Sequence, residues 1–317
     1  PRIFEQAKQF SEVGAGIQLG PNATRILARW GLARALSDVA AFPRQLRVRS
    51  ARDGAQLGAL RLGEAFEERY GAPYATVHRA DLQAVLVEAV RAAGIQPRLS
   101  CRVIAVKPEP EGVTVEVQDI GPQDGDALMA VKGAALIGAD GLWSSVRKHV
   151  WDDKPPSPTG HVAYRGVVPQ ADLPARLRSN DVNVWLGPRM HLVAYPVRGA
   201  SLLNVVVIVQ GQAPGPVEDW DQEAVAAELQ RAMGTLCTPL RELVLAMPSW
   251  RLWALNDRTP MRGADEMARG RVALLGDAAH PMRPYFAQGA GMAIEDAAEL
   301  ARRLSRADGR AVEVPEA

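Results

Sequence analysis

Gly276-Asp277-Ala278-Ala279-His280-Pro281, followed by Ala287-Gln288-Gly289-Ala290-Gly291-Met292-Ala293-Ile294-Glu295-Asp296, is the stretch on which the reading of this chain turns. The apolar run Arg271-Val272-Ala273-Leu274-Leu275 just before it reads as a buried strand that delivers Asp277 at its end. A carboxylate so placed can bind sugar-like hydroxyls. A proline-rich loop then crosses to a turn of small residues, and Gly291 to Leu304 has the apolar spacing of an amphipathic helix. The first N–H groups of a helix lack an intrahelical acceptor, so together with the helix dipole they form an anion site.

Working outward, Ile137-Gly138-Ala139-Asp140-Gly141 and Ser144-Ser145-Val146-Arg147 repeat that plan. A buried strand over Ala134–Gly138 enters a tight glycine turn, and a short helix runs from Trp143 to Val150. Such a turn lets backbone approach a phosphate or a flat ring closely; a plainer reading makes Asp140 a helix cap. A third segment, Phe4-Glu5-Gln6, sets a carboxylate at the end of an apolar strand. In dinucleotide-binding folds such a group accepts hydrogen bonds from the adenosine ribose, and a solvated surface charge is the alternative.

Between these segments the texture changes twice. Asn22 to Leu32 reads as a helix stopping at Gly31, and Arg79-Ala80-Asp81 opens a helix with Leu82, Val85, Leu86, Ala89 and Val90 on one face, ended by Gly94. Gln45 to Tyr74 reads as short strands and loops. Arg102–Val106 and Val113–Val117 form a hairpin pattern. After the linker Pro155-Pro156-Ser157-Pro158 come strands at His161–Val168, Val182–Leu186, His191–Val197 and Leu202–Val209, then a helix at Glu223–Met233. The order α/β, mostly β, α/β predicts a β-rich domain inserted into an interrupted α/β domain.

The totals narrow the function. With 37 basic and 36 acidic residues among 317, the formal charge is +1, which gives no reason to expect nucleic acid or an anionic membrane as partner. Cys101 and Cys237 are far apart and the 5 histidines are scattered, so neither a disulfide framework nor a metal site is expected, and a cytoplasmic location is. No run of about 18 apolar residues reads as a membrane span.

Together the three segments resemble the FAD-dependent aromatic-ring hydroxylases, single-component flavoprotein monooxygenases that act on 4-hydroxybenzoate, salicylate, 3-hydroxybenzoate and 6-hydroxynicotinate. The likeness extends through Gly14-Ala15-Gly16-Ile17-Gln18-Leu19-Gly20-Pro21-Asn22-Ala23 and His78-Arg79-Ala80-Asp81-Leu82. Within the family the chain looks most similar to 3-hydroxybenzoate 6-hydroxylases, through Gly160-His161-Val162-Ala163-Tyr164-Arg165 and His191-Leu192-Val193-Ala194-Tyr195-Pro196-Val197-Arg198-Gly199. The resemblance implies an FAD-binding Rossmann-like domain of the glutathione-reductase type, interrupted by a β-rich substrate domain as in 4-hydroxybenzoate hydroxylase. It would comprise residues 1–37, 77–158 and 258–317, with 38–76 and 159–257 forming the substrate domain. It also implies FAD as cofactor, NADH or NADPH as transient co-substrate, O2 and a small aromatic acid as the other reactants, and a homodimer by family habit.

By the same resemblance Glu5 holds the adenosine ribose, Arg79 sits by the pyrophosphate and Val103 meets the adenine side through its backbone. Gln18 lies close to the flavin, and Asp140 lies in the family's second glycine turn. Asp277, after Gly276, binds the ribityl chain, while Gly289 and Ala290 present N–H groups to the flavin ring, whose reduced form is an anion. The oxygen reaches the ring through a flavin C4a-hydroperoxide, and ionising the phenol makes that ring a better nucleophile. His191 is the expected base, since an imidazole with an ordinary pKa of about 6.5 suits proton transfer near neutrality. Tyr195, four residues on, shares its strand face, and Gln288 reaches the substrate from the flavin helix. Arg165 and Arg44 are read chiefly as solvated charges, with nicotinamide phosphates or a substrate carboxylate as the alternative.

Two departures from the family pattern stand out: no GxGxxG turn precedes Phe4, and the chain stops at Ala317, before the C-terminal helices of relatives. The reading therefore expects a missing N-terminal piece. Its alternatives are a salicylate or 6-hydroxynicotinate-type hydroxylase, or a truncated fragment unable to hold FAD.

Overall fold

The computed structural model of the protein describes residues 1–10, 15–121, 127–151, 153–216, 218–219 and 221–306. These divide into two compact units: Pro1–Phe10, Leu86–Ser157 and Asp257–Ala317 in one, Ser11–Val85 and Pro158–Asn256 in the other.

The second unit is built on an eight-stranded sheet, ordered Gln222–Ala224, Trp250–Asp257, Ser157–Pro169, Leu202–Gln210, Met190–Val197, Val182–Gly187, Gln45–Ser50 and Gln56–Arg61. Strict alternation along its central strands decides which side each residue serves. Met190, Leu192 and Ala194 enter the main core with Val205, Val207 and Val209, and there they meet Leu229, Leu240 and Val244. The last three come from the helices Ala226–Met233 and Thr238–Leu245. His191, Val193 and Tyr195 therefore lie on the opposite face, in register with Ile208, Val206 and Asn204, which pair in turn with Ala163, Arg165 and Val167.

A two-stranded sheet of Gly16–Leu19 and Ala75–His78 attaches on that opposite face. Gly16 N–H donates to Asn204 Oδ1 at 2.9 Å, and the Thr76 hydroxyl donates to the Pro196 carbonyl. These bonds tie residues 15–37 and 77–85, which the sequence reading groups with the FAD-binding body, into the packing of the second unit.

The first unit holds a three-stranded antiparallel sheet of Cys101–Glu109, Gly112–Asp119 and Leu128–Gly133, with a bulge between Val103 and Ala105. Beside it in sequence, Val272–Leu274 runs parallel to Leu136–Gly138. Valines dominate the core: Val113, Val117, Val146 and Val272 pack with Leu274, Ala278 and Ala279. The 18-residue helix Gly289–Arg306 follows. No helix among the described residues is long and apolar enough to cross a membrane.

Most expected elements form where the patterns place them, and three differences have local causes. Glu223 starts not a helix but an edge strand, Gln222–Ala224, because pairing with Trp250–Leu252 outweighs its helical spacing; the helix begins at Ala226. Within Gln45–Tyr74 lies the helix Glu64–Tyr70, closed by Gly71 at φ +74°. Arg165 is not a solvated charge. It is buried, ion-paired to Asp221 at 2.7 Å and stacked over the Trp253 ring.

Candidate functional site

In the first unit two turns leave neighbouring parallel strands at their carboxyl ends, where open α/β sheets bind ligands. Leu274 is in register with Gly138, and Leu275 N–H donates to the Gly138 carbonyl at 2.9 Å. One chain continues through Ala139-Asp140-Gly141, the other through Gly276-Asp277-Ala278. The Asp140 carboxylate is engaged locally: it accepts from the Ser144 hydroxyl at 2.6 Å and from Val146 N–H at 3.1 Å, fixing the start of the helix Ser145–Trp151.

The Asp277 turn is different. Gly276, Ala278 and Ala279 are buried while Asp277 is exposed, so the turn presents a single carboxylate outward. Its backbone is held from two sides. Arg147, 5% exposed, donates from Nη1 to the Ala278 and Ala279 carbonyls at 3.1 and 2.9 Å, and it ion-pairs with Asp153, which also takes Arg258 at 3.0 Å. From the long helix, Asp296 Oδ2 accepts Gly276 N–H at 2.9 Å and lies 2.6 Å from His280 Nε2.

The beginning of that helix meets the same turn. Its first residue-to-residue bond is Met292 N–H to the Gln288 carbonyl, so the amides of Gly289, Ala290 and Gly291 have no acceptor within the helix. A Cβ added to Gly289 would lie 3.9 Å from Asp277 Oδ1 and 3.8 Å from Met282 Cγ. An exposed carboxylate beside helix amides that lack an intrahelical acceptor, with no glycine side chain between them, fits a group that offers hydroxyls and an anionic ring edge together. FAD is such a group. Gln288 stands at this helix start, after Ala287 in the left-handed region at φ +51°.

Glu5 and Val103 form another edge of the unit. Phe4 bridges Arg98 in parallel, Cys101 N–H donates to the Glu5 carbonyl, and the Glu5 carboxylate accepts Ala7 N–H at 2.8 Å. Val103 lies two residues into the strand, at its bulge.

The remaining expected residues lie in the second unit. Arg79 is exposed at the start of the helix Arg79–Ala92, and Gln18 accepts the Tyr74 hydroxyl at 2.7 Å. His191 and Tyr195 share one face of the large sheet, as the strand period requires. His191 is half-buried, and burial first, then the nearby His161, holds its imidazole below the ordinary pKa of 6.5. It is therefore a neutral proton acceptor at neutral pH. Tyr195 is fully enclosed. A Cβ on Gly16 would fall 2.5 Å from its ring and 2.8 Å from its hydroxyl, so the glycine is what makes room for it. Burial, then neighbouring Tyr74, pushes the Tyr195 hydroxyl up, and it stays protonated across the physiological range.

The FAD binding domain family matches residues 3–313. The chain belongs to these FAD-dependent monooxygenases. It is 39% identical over 305 residues to a 3-hydroxybenzoate 6-hydroxylase of Polaromonas naphthalenivorans, covering 96% of this chain and 72% of the relative. The structure of Klebsiella pneumoniae HpxO with FAD and uric acid superposes with a TM-score of 0.80 at 27% identity, over 98% of this chain and 74% of that one. A salicylate hydroxylase substrate complex matches with a TM-score of 0.78 at 27% identity, over 95% and 74%. This flavoprotein monooxygenase uses FAD, with reduced nicotinamide and O2 as the family's other reactants.

Roles that the sequence reading did not assign are those of Arg147, Asp296, His280 and Gly16. The first three stand inside its motif segments: Arg147 and Asp296 bond backbone, and His280 bonds the Asp296 carboxylate; Gly16 acts by having no side chain.

Proposed function

We propose that this flavin monooxygenase hydroxylates a phenolic aromatic carboxylic acid such as 3-hydroxybenzoate, drawing electrons from NADH or NADPH. The observation that carries the reading is His191, a neutral imidazole on a sheet face whose neighbours in register are the apolar Ile208 and Ala163. The identity to the hydroxybenzoate enzyme supports the same substrate class.

FAD, when bound, supplies the electrophilic oxygen after reduction by nicotinamide and reaction with O2. The chain's own residues do the rest. Asp277 holds the ribityl hydroxyls, and the Gly289 and Ala290 amides stabilise the charge the ring acquires on reduction. Glu5, Arg79, Val103, Asp140 and Gln18 are assigned to the remainder of the cofactor. His191 takes the phenolic proton on an imidazole nitrogen, which raises the electron density of the aromatic ring. Tyr195 keeps its own proton, so its part is to donate a hydrogen bond to the phenolate or carboxylate oxygen and not to act as a base. Gln288 offers its amide to the same substrate. A cytoplasmic homodimer belongs to this reading, and light scattering on the purified protein tests its oligomeric part.

The deciding experiment replaces His191 with Ala and compares hydroxylated product with hydrogen peroxide released per NADH consumed. Unchanged coupling removes His191 from the mechanism. Substrate-stimulated NADH oxidation across 3-hydroxybenzoate, salicylate and 6-hydroxynicotinate then assigns the ring.

A further inference from the structure

We infer that Asp296 is a positioning residue for the flavin, locking the carboxylate of Asp277 to the helix whose first amides share its site. The inference rests on the reading that Asp277 and the Gly289–Ala290 amides hold FAD.

Gly289, Ala293 and Asp296 stand at i, i+4 and i+7 of one helix, and 3.6 residues per turn puts all three on one stripe. Each touches the same turn. Gly289 lies beside Asp277, where an added Cβ would be 3.9 Å from Oδ1. Ala293 lies against Gly276, where an added Cβ would be 3.0 Å from the Ala293 Cβ. Asp296 takes Gly276 N–H at 2.9 Å and His280 Nε2 at 2.6 Å on a single oxygen. A carboxylate is acceptor-only, so His280 is the donor in that contact and carries its hydrogen on Nε2.

Gly276 N–H is the donor left over by the geometry of the turn. At φ +54° the chain reverses just past the strand, and the Gly276 carbonyl already accepts both Ala279 N–H and His280 N–H. A buried N–H without a partner is costly, so Asp296 decides whether the turn keeps this path. His280 then closes it from the far end, four residues on. Asp277 lies in sequence between these two points of attachment. The stripe thus makes one rigid body of the two halves of the cradle, carboxylate and amides, and neither half moves without the other.

The test measures FAD dissociation constants by flavin fluorescence on full-chain apoprotein, with thermal melting recorded in parallel. Asp277→Ala sets the reference loss. Asp296→Ala is expected to weaken FAD about tenfold, equivalent to about 1.4 kcal/mol, and Asp296→Asn, which keeps an acceptor oxygen, to recover most of it. His280→Ala is expected to weaken FAD less, and His280→Gln to restore it. If Asp277→Ala weakens FAD while Asp296→Ala leaves it unchanged, even with a lowered melting temperature, Asp296 is only structural and the inference is overturned. If Asp296→Ala does not fold, the His280 pair decides: equal FAD affinity in His280→Ala and the unsubstituted chain overturns it equally. Native affinity in Asp277→Ala overturns instead the reading on which the inference stands.

Discussion

In the first unit the cradle assigned to the flavin ring and its ribityl chain pairs backbone amides with the exposed Asp277 carboxylate, held in place by buried neighbours; in the second, the groups assigned to the phenol are side chains, His191 half-buried and Tyr195 buried. The two regions solve opposite problems. A cofactor cradle made of backbone needs small residues where the chain comes close and polar anchors behind it: Gly276 and Gly289 in front, Arg147 and Asp296 behind. A proton-transfer surface made of side chains needs desolvation, because burial is what holds His191 neutral and Tyr195 protonated. Geometry tunes the first region and environment tunes the second.

The sharpest way to break this contrast is at its anchors. Arg147 is buried and bound to Asp153 and two carbonyls, so Arg147→Ala leaves two acceptors without their donor and Asp153 with Arg258 alone. Removing one member of such a buried pair costs about 3–5 kcal/mol, read from chemical denaturation of the apoprotein. A loss below about 1 kcal/mol, the range of exposed ion pairs, would show that the turn stands without it. On the other side of the comparison, Gly16→Ala drives a methyl into Tyr195 and Asn204. Overpacking of this kind costs about 1–3 kcal/mol. Gly58→Ala is the control, since an added Cβ there meets nothing within 4 Å, and it is expected to stay within about 0.5 kcal/mol. Equal melting temperatures for the two variants would mean that the Tyr195 pocket yields freely.

The contrast also explains what was legible in the amino-acid sequence. Motifs that act through backbone are contiguous, so the strand, turn and helix around Gly276–Asp296 could be read off directly, and so could the turn at Asp140. The i, i+4, i+7 relation of Gly289, Ala293 and Asp296 was present in the spacing, but the partner of Asp296 is a donor 20 residues earlier, which no local pattern specifies. In the sheet, period-two alternation was enough to put His191 and Tyr195 on one face. What it could not supply was the strand order, and so neither the proximity of His161 to His191 nor the 188-residue link from Gly16 to Asn204 was readable. Arg165 was misread for the same reason: its partner Asp221 and its ring Trp253 are distant in sequence.

The smallest expected effect tests the environmental half of the comparison most closely. His161 and His191 occupy strands separated by Leu202–Gln210, with His161 in register with Gln210 and His191 with Ile208, so both imidazoles belong to the same sheet face. On these three strands Arg165 and Tyr195 are the other ionisable groups of that face, and Arg165 shares the Asp221 carboxylate with Arg251 of the neighbouring strand. Burial is the larger cause of the lowered His191 pKa and His161 the smaller. As a base His191 works when unprotonated, so the acid limb of the kcat/KM profile should lie below the ordinary imidazole value of about 6.5. His161→Ala removes the repulsion that a proton on His161 exerts, and the sign follows: His191 binds its proton more readily and the limb moves to higher pH. Because burial persists, the limb should still stop short of about 6.5. A limb that stays fixed in His161→Ala would leave desolvation as the sole tuning force. A limb that moves to lower pH would mean that a group other than His191 titrates there, and the proton acceptor would have to be sought elsewhere on the sheet.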